Sequence, residues 1–430
     1  MLTKTATATA TISPATIFDT FHAPSLSSII EHDDEKHMRI YLDYAATTPV
    51  DPAALHAMKP YFSEKFGNAG SLHSFGQEAI AAVDRAREDL ARVLSAEFRE
   101  VVFMGSATEA NNLALRGIVK QVASGKWQVA GRPRIIVSSI EHESILETAK
   151  DLERDGIEIV YLSVNARGVV DLEKLKESLT ENTILVSVMY VNNEIGTVQP
   201  IKEVSKAIQE FRSRLPLATC HLPLFHCDAS QAFNYFNCDV NVLGVDLMTL
   251  SSHKIYGPKG AAALYVRADS FPLLAPLTAG GGQEFGLRSG TENVPAIVGF
   301  AKAVELVEAG REKESKHIAV LRDQFSRGIK KVFPKAEING ASFPDSSPHI
   351  LNIYFPSHDA QDILTQLDLA GIAASSGSAC RSRAMESSYV IEALGYSKAR
   401  ARSSIRFSFG RPTTKKEIDS ALRVLQKILK

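Results

Sequence analysis

The chain has 430 residues, which is enough for two domains or for one large domain with a substantial core. It is 45% hydrophobic and 23% charged with a formal net charge of −1, and this balance excludes attraction to nucleic acid or to a membrane surface by overall charge. No apolar run reaches the roughly 18 residues of a membrane-spanning helix. With four cysteines, at spacings that match no zinc pattern, we expect a reduced cytoplasmic protein.

The first part of the chain predicts an extension at residues 1–38. TKTATATATISPAT is a low-complexity stretch, and HDDEKH is a run of charges. The acidic residues in this region are not typical of a mitochondrial presequence. We expect the extension to be disordered, and a segment at 39–58 to pack with a small C-terminal domain.

From about residue 100, short apolar runs alternate with segments of helical period. The runs typical of buried strands are EVVFM, PRIIVSS, IEIVYL, TILVSVMYV, LPLFHCD, DLMTLSS and AAALYV. Strands that alternate with helices predict a mostly parallel central sheet flanked by helices. We assign this α/β pattern to a large domain at residues 59–300.

The pattern changes after TAGGGQEFGLRSGT. A long helical pattern covers residues 293–332, and the strand HILNIYF and the helix DAQDILTQLDL follow it. The strand SSIRFSFG and the amphipathic helix TKKEIDSALRVLQKIL end the chain. This order predicts a smaller α+β domain at residues 301–430.

Polar side chains follow the predicted strands at the sheet edge where open α/β sheets bind ligands. They are Thr108 in GSAT, His142 in EHES, Asn193 in NNEIG, Asp228 and Gln231 in HCDASQ, and Lys254 and Lys259 in HKIYGPKG. Each one alone is compatible with a structural role: Thr108 with a plain helix cap, and His142 with a core histidine. Together they place a helix start that could bind a phosphate, an imidazole, a carboxylate, amides and a lysine at one edge of the sheet.

Pyridoxal phosphate would use all of these groups, because it has a phosphate, a protonatable ring nitrogen and an aldehyde that a lysine captures. The spacing does not decide between Lys254 and Lys259. NAD is the competing cofactor, but its GxGxxG fingerprint should follow the first strand, and the glycine-rich run AGGGQEFG comes late in the chain.

A separate motif, AASSGSACRSRA, places Cys380 in a stretch of small residues that predicts a flexible loop. The neighbouring Arg381 and Arg383 would favour the thiolate. Cys380 is therefore a candidate nucleophile, with an incidental surface cysteine as the alternative. We assign Cys220, Cys227 and Cys238 to the core or the scaffold.

Arg406 is a candidate for binding a carboxylate. In SSIRFSFG, alternation puts Ile405, Phe407 and Phe409 on one strand face and Arg406 among serines on the other. An arginine fixed on a small polar face suits bidentate carboxylate recognition, and a structural ion pair is the alternative.

Nine motifs occur in an order that resembles the cysteine desulfurases of the NifS/IscS type, within the fold-type I pyridoxal-phosphate enzymes and the aminotransferase class V group. They are YLDYAATTP, GSATEANNLAL, EHESILET, NNEIGTVQPI, HCDASQ, SSHKIYGPKG, GLRSGT, SSGSAC and SSIRFSFGR. The resemblance extends from about Arg39 to the last helix. It implies the two-domain α/β fold predicted above and a pyridoxal 5′-phosphate cofactor.

The resemblance also implies roles for the catalytic residues. Lys254, and not Lys259, would form the Schiff base, and Asp228 would keep the pyridinium nitrogen protonated. Gln231 would bond the phenolate oxygen of the ring. His142 would stack on the ring and help to move protons.

For the remaining site residues, the resemblance implies a shared site in a homodimer. Ala107, Thr108, Ser251 and His253 would hold the phosphate, and Thr291 would reach the phosphate of the neighbouring subunit. Asn193 would lie beside substrate and cofactor, and Arg406 would bind the substrate carboxylate.

The implied reaction converts L-cysteine to L-alanine and leaves the sulfur on Cys380 as a persulfide. An acceptor, such as an iron–sulfur scaffold protein, would then take the sulfur for cluster, cofactor or tRNA biosynthesis. We expect no metal site, except that Cys380 would be able to ligate a cluster transiently. The alternatives are a selenocysteine lyase, a class V aminotransferase and a non-enzymatic sulfur-relay scaffold. The segment at 213–225 is longer than is usual in the family.

Overall fold

The computed structural model describes residues 39–125, 129, 131–216, 221–342, 345–377 and 387–430. The predicted extension at 1–38 and the predicted nucleophile Cys380 therefore lie outside the described residues, as does Cys220. Among the helices described, none is both long enough and apolar enough to cross a membrane.

The secondary structure follows the predicted alternation closely. The described strands are β1 (Ile40–Tyr41), β2 (Val101–Met104), β3 (Arg134–Ser138), β4 (Glu158–Leu162), β5 (Thr183–Ser187), β6 (Leu224–Asp228), β7 (Leu247–Ser251), β8 (Ala262–Val266), β9 (Glu337–Asn339), β10 (Ile350–Tyr354), β11 (Ile372–Ala373) and β12 (Ser404–Ser408). The described α-helices are α1 (Pro52–Met58), α2 (Pro60–Ser63), α3 (Ser74–Leu94), α4 (Ala107–Ala123), α5 (Glu143–Arg154), α6 (Leu172–Ser178), α7 (Ile201–Arg212), α8 (Val240–Leu243), α9 (Val294–Val332), α10 (Ala360–Leu369), α11 (Tyr389–Ala393), α12 (Lys398–Arg402) and α13 (Lys415–Ile428).

The main sheet has the strand order β2-β8-β7-β6-β5-β3-β4. The pairs from β7 to β4 are parallel, and β8 is antiparallel to both of its neighbours. Adjacent residues of a strand pack on opposite faces of the sheet. In β6, Leu224 lies in the apolar cluster on one face and Phe225 lies in the apolar cluster on the other. Both faces are therefore covered, as the continuous apolar runs predict. The mostly parallel α/β fold is confirmed.

A smaller antiparallel sheet, β12-β10-β9, forms beside this layer, and β1 pairs with β11. Ile405, Phe407 and Phe409 of the β12 region pack in the apolar core of this part of the chain, where the rings of Phe325 and Phe407 lie 4.9 Å apart. Arg406 points away from that core, as the strand alternation predicts. The domain boundaries at residues 58 and 300 stay predictions.

Helix α9 connects the two cores. It runs for 39 residues without a break, where the sequence predicts one long helical pattern. Val294 and Val307 pack in a core of the main sheet, whereas Ile318 and Ile329 pack in the core of the small sheet. A rigid helix anchored in both cores fixes the small sheet beside the edge of the main sheet.

Candidate active site

A cavity of about 400 Å³ lies at the carboxyl ends of the parallel strands. It has the position that open α/β sheets give to their ligands. The sequence-predicted residues that line it are Ala107, Thr108, His142, Asn193, Asp228, Gln231, Ser251, His253, Lys254, Lys259 and Arg406. The structure thus brings together residues that span 300 positions of the sequence.

The N-terminus of α4 forms one end of the cavity. Gly105, Ser106, Ala107 and Thr108 line it there, and the Ser106 hydroxyl caps the helix by accepting from the Glu109 N–H at 3.1 Å. The small side chains leave the first backbone N–H groups of the helix accessible. These groups and the positive end of the helix dipole suit a phosphate.

His253 lies on the same cavity and hydrogen-bonds through Nδ1 with the Thr47 hydroxyl at 3.1 Å. Burial, with smaller contributions from the nearby cations Lys254 and Lys259, lowers the pKa of His253 to about 3. The imidazole is therefore neutral, and it acts at this site by hydrogen bonding and not by charge.

Asp228 ends β6 and is held by two donors. The side chain of Asn111 donates to Oδ2 at 2.9 Å, and the backbone of Ser230 donates to Oδ1 at 2.9 Å. Two donors to the ionised form stabilise a carboxylate in this buried position. Asn111 is a functional residue that the sequence reasoning missed. Its signal is the spacing in GSATEANN, because Asn111 follows Thr108 by three residues on one helix face.

A hydrogen-bonded chain extends from Asp228 to His142. Asn111 also donates to the Ser144 hydroxyl at 2.8 Å, and that hydroxyl contacts His142 Nδ1 at 2.9 Å. Burial lowers the pKa of His142, Asp228 raises it and Lys254 lowers it. The chain fixes the imidazole, which caps α5, at the mouth of the cavity.

Lys254 lies in a short 3₁₀ turn directly after β7. Its Nζ donates to the carbonyl oxygens of Ala45 at 2.6 Å and Ala46 at 2.8 Å. Lys259 lines the cavity too. Position in the cavity alone therefore does not identify which of the two lysines would bind a cofactor aldehyde.

Arg406 enters the cavity from β12 and is almost completely buried, with 1% of its surface exposed. Nη1 donates to the Asn193 carbonyl at 2.9 Å, and Nη2 pairs with Asp43 Oδ1 at 2.7 Å. Nε is buried without a hydrogen-bond partner among the described residues. The structure therefore combines both sequence interpretations, since the guanidinium makes an ion pair and also faces the cavity. Asp43, in the motif YLDYAATTP, was not assigned a role from sequence.

Two predicted site residues do not line the cavity in the described chain. Thr291 is exposed, and Cys380 is outside the described residues. The residues that precede the Cys380 segment are described, and Ser375 exchanges backbone hydrogen bonds with Arg406 at 2.6 and 3.2 Å. The described residues before that segment are therefore paired with the strand that carries Arg406.

The two cysteines that the structure describes, Cys227 and Cys238, are buried. Burial raises the pKa of Cys238 to about 12 and raises the pKa of Cys227 as well. Both thiols are therefore protonated and inert, which agrees with their assignment to the core.

Comparison with known proteins identifies several relatives. The family model of the aminotransferases of class V matches residues 40–421. "Cysteine desulfurase IscS" of Rickettsia rickettsii is 42% identical over 387 residues, which cover 90% of each chain. A solved structure described as "NIFS-LIKE PROTEIN" superposes with a TM-score of 0.82 at 35% identity and covers 91% of this chain and 99% of that chain. Another solved structure, "SspA in complex with cysteine", has a TM-score of 0.73 at 34% identity, and the match covers 87% of this chain and 100% of that chain.

Proposed function

The chain belongs to the class V aminotransferase family, and we propose that within it the protein is a cysteine desulfurase that converts L-cysteine to L-alanine. The observation that carries this proposal is the convergence of Lys254, Asp228 and Arg406 on one cavity. These are an amine, a carboxylate and a guanidinium, the three charged groups that a pyridoxal-phosphate enzyme needs for an amino-acid substrate. The curated desulfurase relative matches nine-tenths of the chain.

The cofactor of this family is pyridoxal phosphate, and the described residues fit it. The N-terminus of α4 offers backbone donors for a phosphate, and Asp228, held by Asn111 and Ser230, offers a carboxylate to a ring nitrogen. Lys254 would hold the aldehyde carbon. When bound, the cofactor supplies a carbonyl that amines add to and a protonated ring that withdraws electrons.

The substrate carboxylate would bind Arg406. Its buried Nε has no hydrogen-bond partner among the described residues, and the guanidinium has further N–H groups besides the two that contact Asn193 and Asp43. A carboxylate bound there would place the cysteine amine toward Lys254. The neutral Lys254 amine would then take the proton from the carbon next to the carboxylate.

Sulfur transfer requires a second thiol, and Cys380 is the candidate. Its thiolate would attack the sulfur of the bound cysteine, so that an S–S bond forms as the C–S bond breaks. The bonding electrons stay with the carbon, which takes up a proton and becomes the methyl group of alanine, and Lys254 would return the other proton to the carbon next to the carboxylate. The persulfide on Cys380 would then pass its sulfur to an acceptor protein, and we propose a scaffold for iron–sulfur clusters.

An assay of both products tests this function. Wild-type protein and Cys380→Ser would each be incubated with L-cysteine and a dithiol, and alanine and sulfide would be measured together. Equal amounts of alanine and sulfide from the wild type and neither from the variant would support the proposal. Full activity in Cys380→Ser, or alanine only when a keto acid is added, would contradict it and favour an aminotransferase. Cys220→Ser is the control, and it should remain active.

We also propose that the protein is a homodimer in which Thr291 completes the site of the neighbouring subunit. Exposed apolar side chains near α2 and α3 support this proposal: Phe62, Phe66, Leu72 and Phe75 are each more than half exposed. Large exposed apolar side chains in one region are typical of protein interfaces. Light scattering should give twice the mass of the chain, and Leu72→Asp should shift it toward the monomer.

A further inference from the structure

His349 connects the small sheet to the cavity wall. It lies directly before β10, is buried, and places Nε2 at 3.1 Å from the side-chain oxygen of Gln231. Its ring stacks on Tyr235 with a centroid distance of 4.3 Å, and the Ser347 hydroxyl hydrogen-bonds to Nδ1. The imidazole is thus held on its face and at both nitrogens.

The directions of these hydrogen bonds follow from one carbonyl. The Ala45 carbonyl can only accept, so Gln231 must turn its Nε2 toward it, at 2.9 Å. The Gln231 oxygen then faces His349, whose Nε2 must carry a proton in order to donate. Nδ1 is consequently bare and accepts from Ser347. The Gln231 nitrogen has a second N–H, and Gln231 lines the cavity, so a donor remains for a ligand there.

The environment of His349 keeps the ring neutral. Burial, with smaller contributions from the positive charges of Arg406, Lys254 and Arg322, lowers the pKa of His349 to about 3. Tyr235 covers the ring face. A neutral imidazole has a single N–H, and here that N–H is committed to Gln231.

We propose that His349 is a positioning residue that fixes the Gln231 amide with its nitrogen toward the cavity, so that Gln231 can only donate to the cofactor. This inference rests on the proposed function, in which Gln231 bonds the phenolate oxygen of pyridoxal phosphate. A fixed donor at that oxygen would draw electron density from it. The nitrogen of the Schiff base that Lys254 would form with the cofactor would then hold its proton less tightly. Without His349, the hydrogen bond to the Ala45 carbonyl is the remaining one of the two that hold the Gln231 amide, and the amide can rotate more easily.

The test is a pH titration of the visible absorbance of the cofactor-loaded protein without substrate. His349→Phe keeps a ring against Tyr235 but removes the N–H. We expect the pH midpoint of the absorbance change, at which the Schiff-base nitrogen loses its proton, to move upward by about 0.5 to 1 pH unit. This shift corresponds to the loss of one hydrogen bond. His349→Gln provides an amide N–H in place of the imidazole N–H and should restore the wild-type midpoint. An unchanged midpoint in His349→Phe would overturn the proposal.

Two further variants separate positioning from a general structural effect. Tyr235→Phe keeps the stacked ring and leaves the hydrogen bond to Gln231 in place, so its midpoint should equal that of the wild type. Gln231→Leu should show the upward shift, and adding His349→Phe to it should produce no further shift. Additive shifts in the double variant would show that His349 acts independently of Gln231 and would overturn the proposal.

Failure of this inference can be told apart from failure of the proposed function, because the titration needs no turnover. A wild-type protein that binds the cofactor and gives the expected shifts, but makes no alanine from cysteine, would contradict only the desulfurase function. A wild-type protein that takes up no cofactor would overturn both.

Discussion

The side chain of Asn111 donates to Asp228 across 2.9 Å, from the first turns of α4 to the end of β6. Both residues are buried, and Asn111 donates as well to Ser144, which contacts His142. A single amide therefore orients both the carboxylate and the imidazole of the site. Hydrogen bonds to a buried carboxylate are stronger than those between neutral groups.

Replacing Asn111 should weaken cofactor binding. We expect Asn111→Ala to raise the dissociation constant for pyridoxal phosphate by about 10- to 100-fold, since a hydrogen bond to a buried charge is lost. Fluorescence titration of the cofactor-free protein measures this change.

The matched control for that prediction is Asn112→Ala, one position along the same helix. Asn112 donates to the Thr108 carbonyl within the helix and does not contact Asp228. Its side-chain oxygen accepts from Arg116 and Thr148, and none of these bonds reaches Asp228, so its substitution should leave the dissociation constant within about twofold of the wild type. Equal losses in the two variants would mean that α4 is destabilised and that Asn111 has no specific role.

Lys254 and Lys259 both line the cavity, so their roles must be separated by chemistry. We expect borohydride reduction of the loaded protein to attach the cofactor to the peptide that contains Lys254, as detected by mass spectrometry. Lys254→Ala should lose both this label and turnover, because no other amine is held by Ala45 and Ala46 among the described residues. Lys259→Ala should keep the label. A label on Lys259 in the wild type would reverse the assignment.

The edge of the main sheet could be predicted from sequence because strands of continuous apolar residues are easy to recognise. Any residue directly after a parallel strand then falls at the same edge, as Asp228 and Lys254 do. Asn111 and Asp43 were not predicted as site residues, since one lies inside a helix and the other in an irregular segment. The helical spacing from Thr108 is a signal that points to Asn111, whereas the irregular segment around Asp43 has no period that shows which side chain meets the site. Thr291 is exposed in the single chain, and its predicted contact is with the neighbouring subunit.

The ion pair of Arg406 with Asp43 permits a test of the substrate-binding role. We expect Arg406→Lys to raise KM for L-cysteine by about 100-fold with little change in cofactor affinity, because a lysine cannot reproduce bidentate carboxylate binding. Steady-state kinetics at saturating pyridoxal phosphate measures this. Arg402→Lys, on the exposed end of α12, should have the KM of the wild type.

Asp43→Asn separates this role from a purely structural ion pair. It removes the partner's charge but leaves the guanidinium in place, so KM should not rise. If Arg406 had only a structural role, Asp43→Asn and Arg406→Lys would lower the unfolding midpoint alike and would change KM alike.

Glu141 is a completely buried carboxyl group behind the site. Its Oε1 accepts from the Ser138 hydroxyl and the Met189 N–H, each at 2.6 Å, whereas Oε2 has no hydrogen-bond partner among the described residues. Burial, with a smaller contribution from Asp228, raises the pKa of Glu141 from 4.5 to about 8, against the opposing effect of the two hydrogen bonds. At neutral pH the folded chain therefore holds a proton on Glu141.

This proton makes the stability depend on pH. The unfolded chain releases it near pH 4.5 and the folded chain near pH 8, so the contribution of Glu141 to stability is full below 4.5 and is lost as the pH rises through 8. Glu141→Gln is neutral and of equal size. We expect its free energy of unfolding to increase relative to that of the wild type by about 1.4 kcal/mol for each pH unit within this window. Urea unfolding of the loaded proteins at pH 5.5, 6.5 and 7.5, values spaced about one unit apart, measures the difference. Glu147→Gln, on the exposed face of α5, should follow the wild-type curve, and parallel curves for Glu141→Gln would show that Glu141 is ionised in the fold.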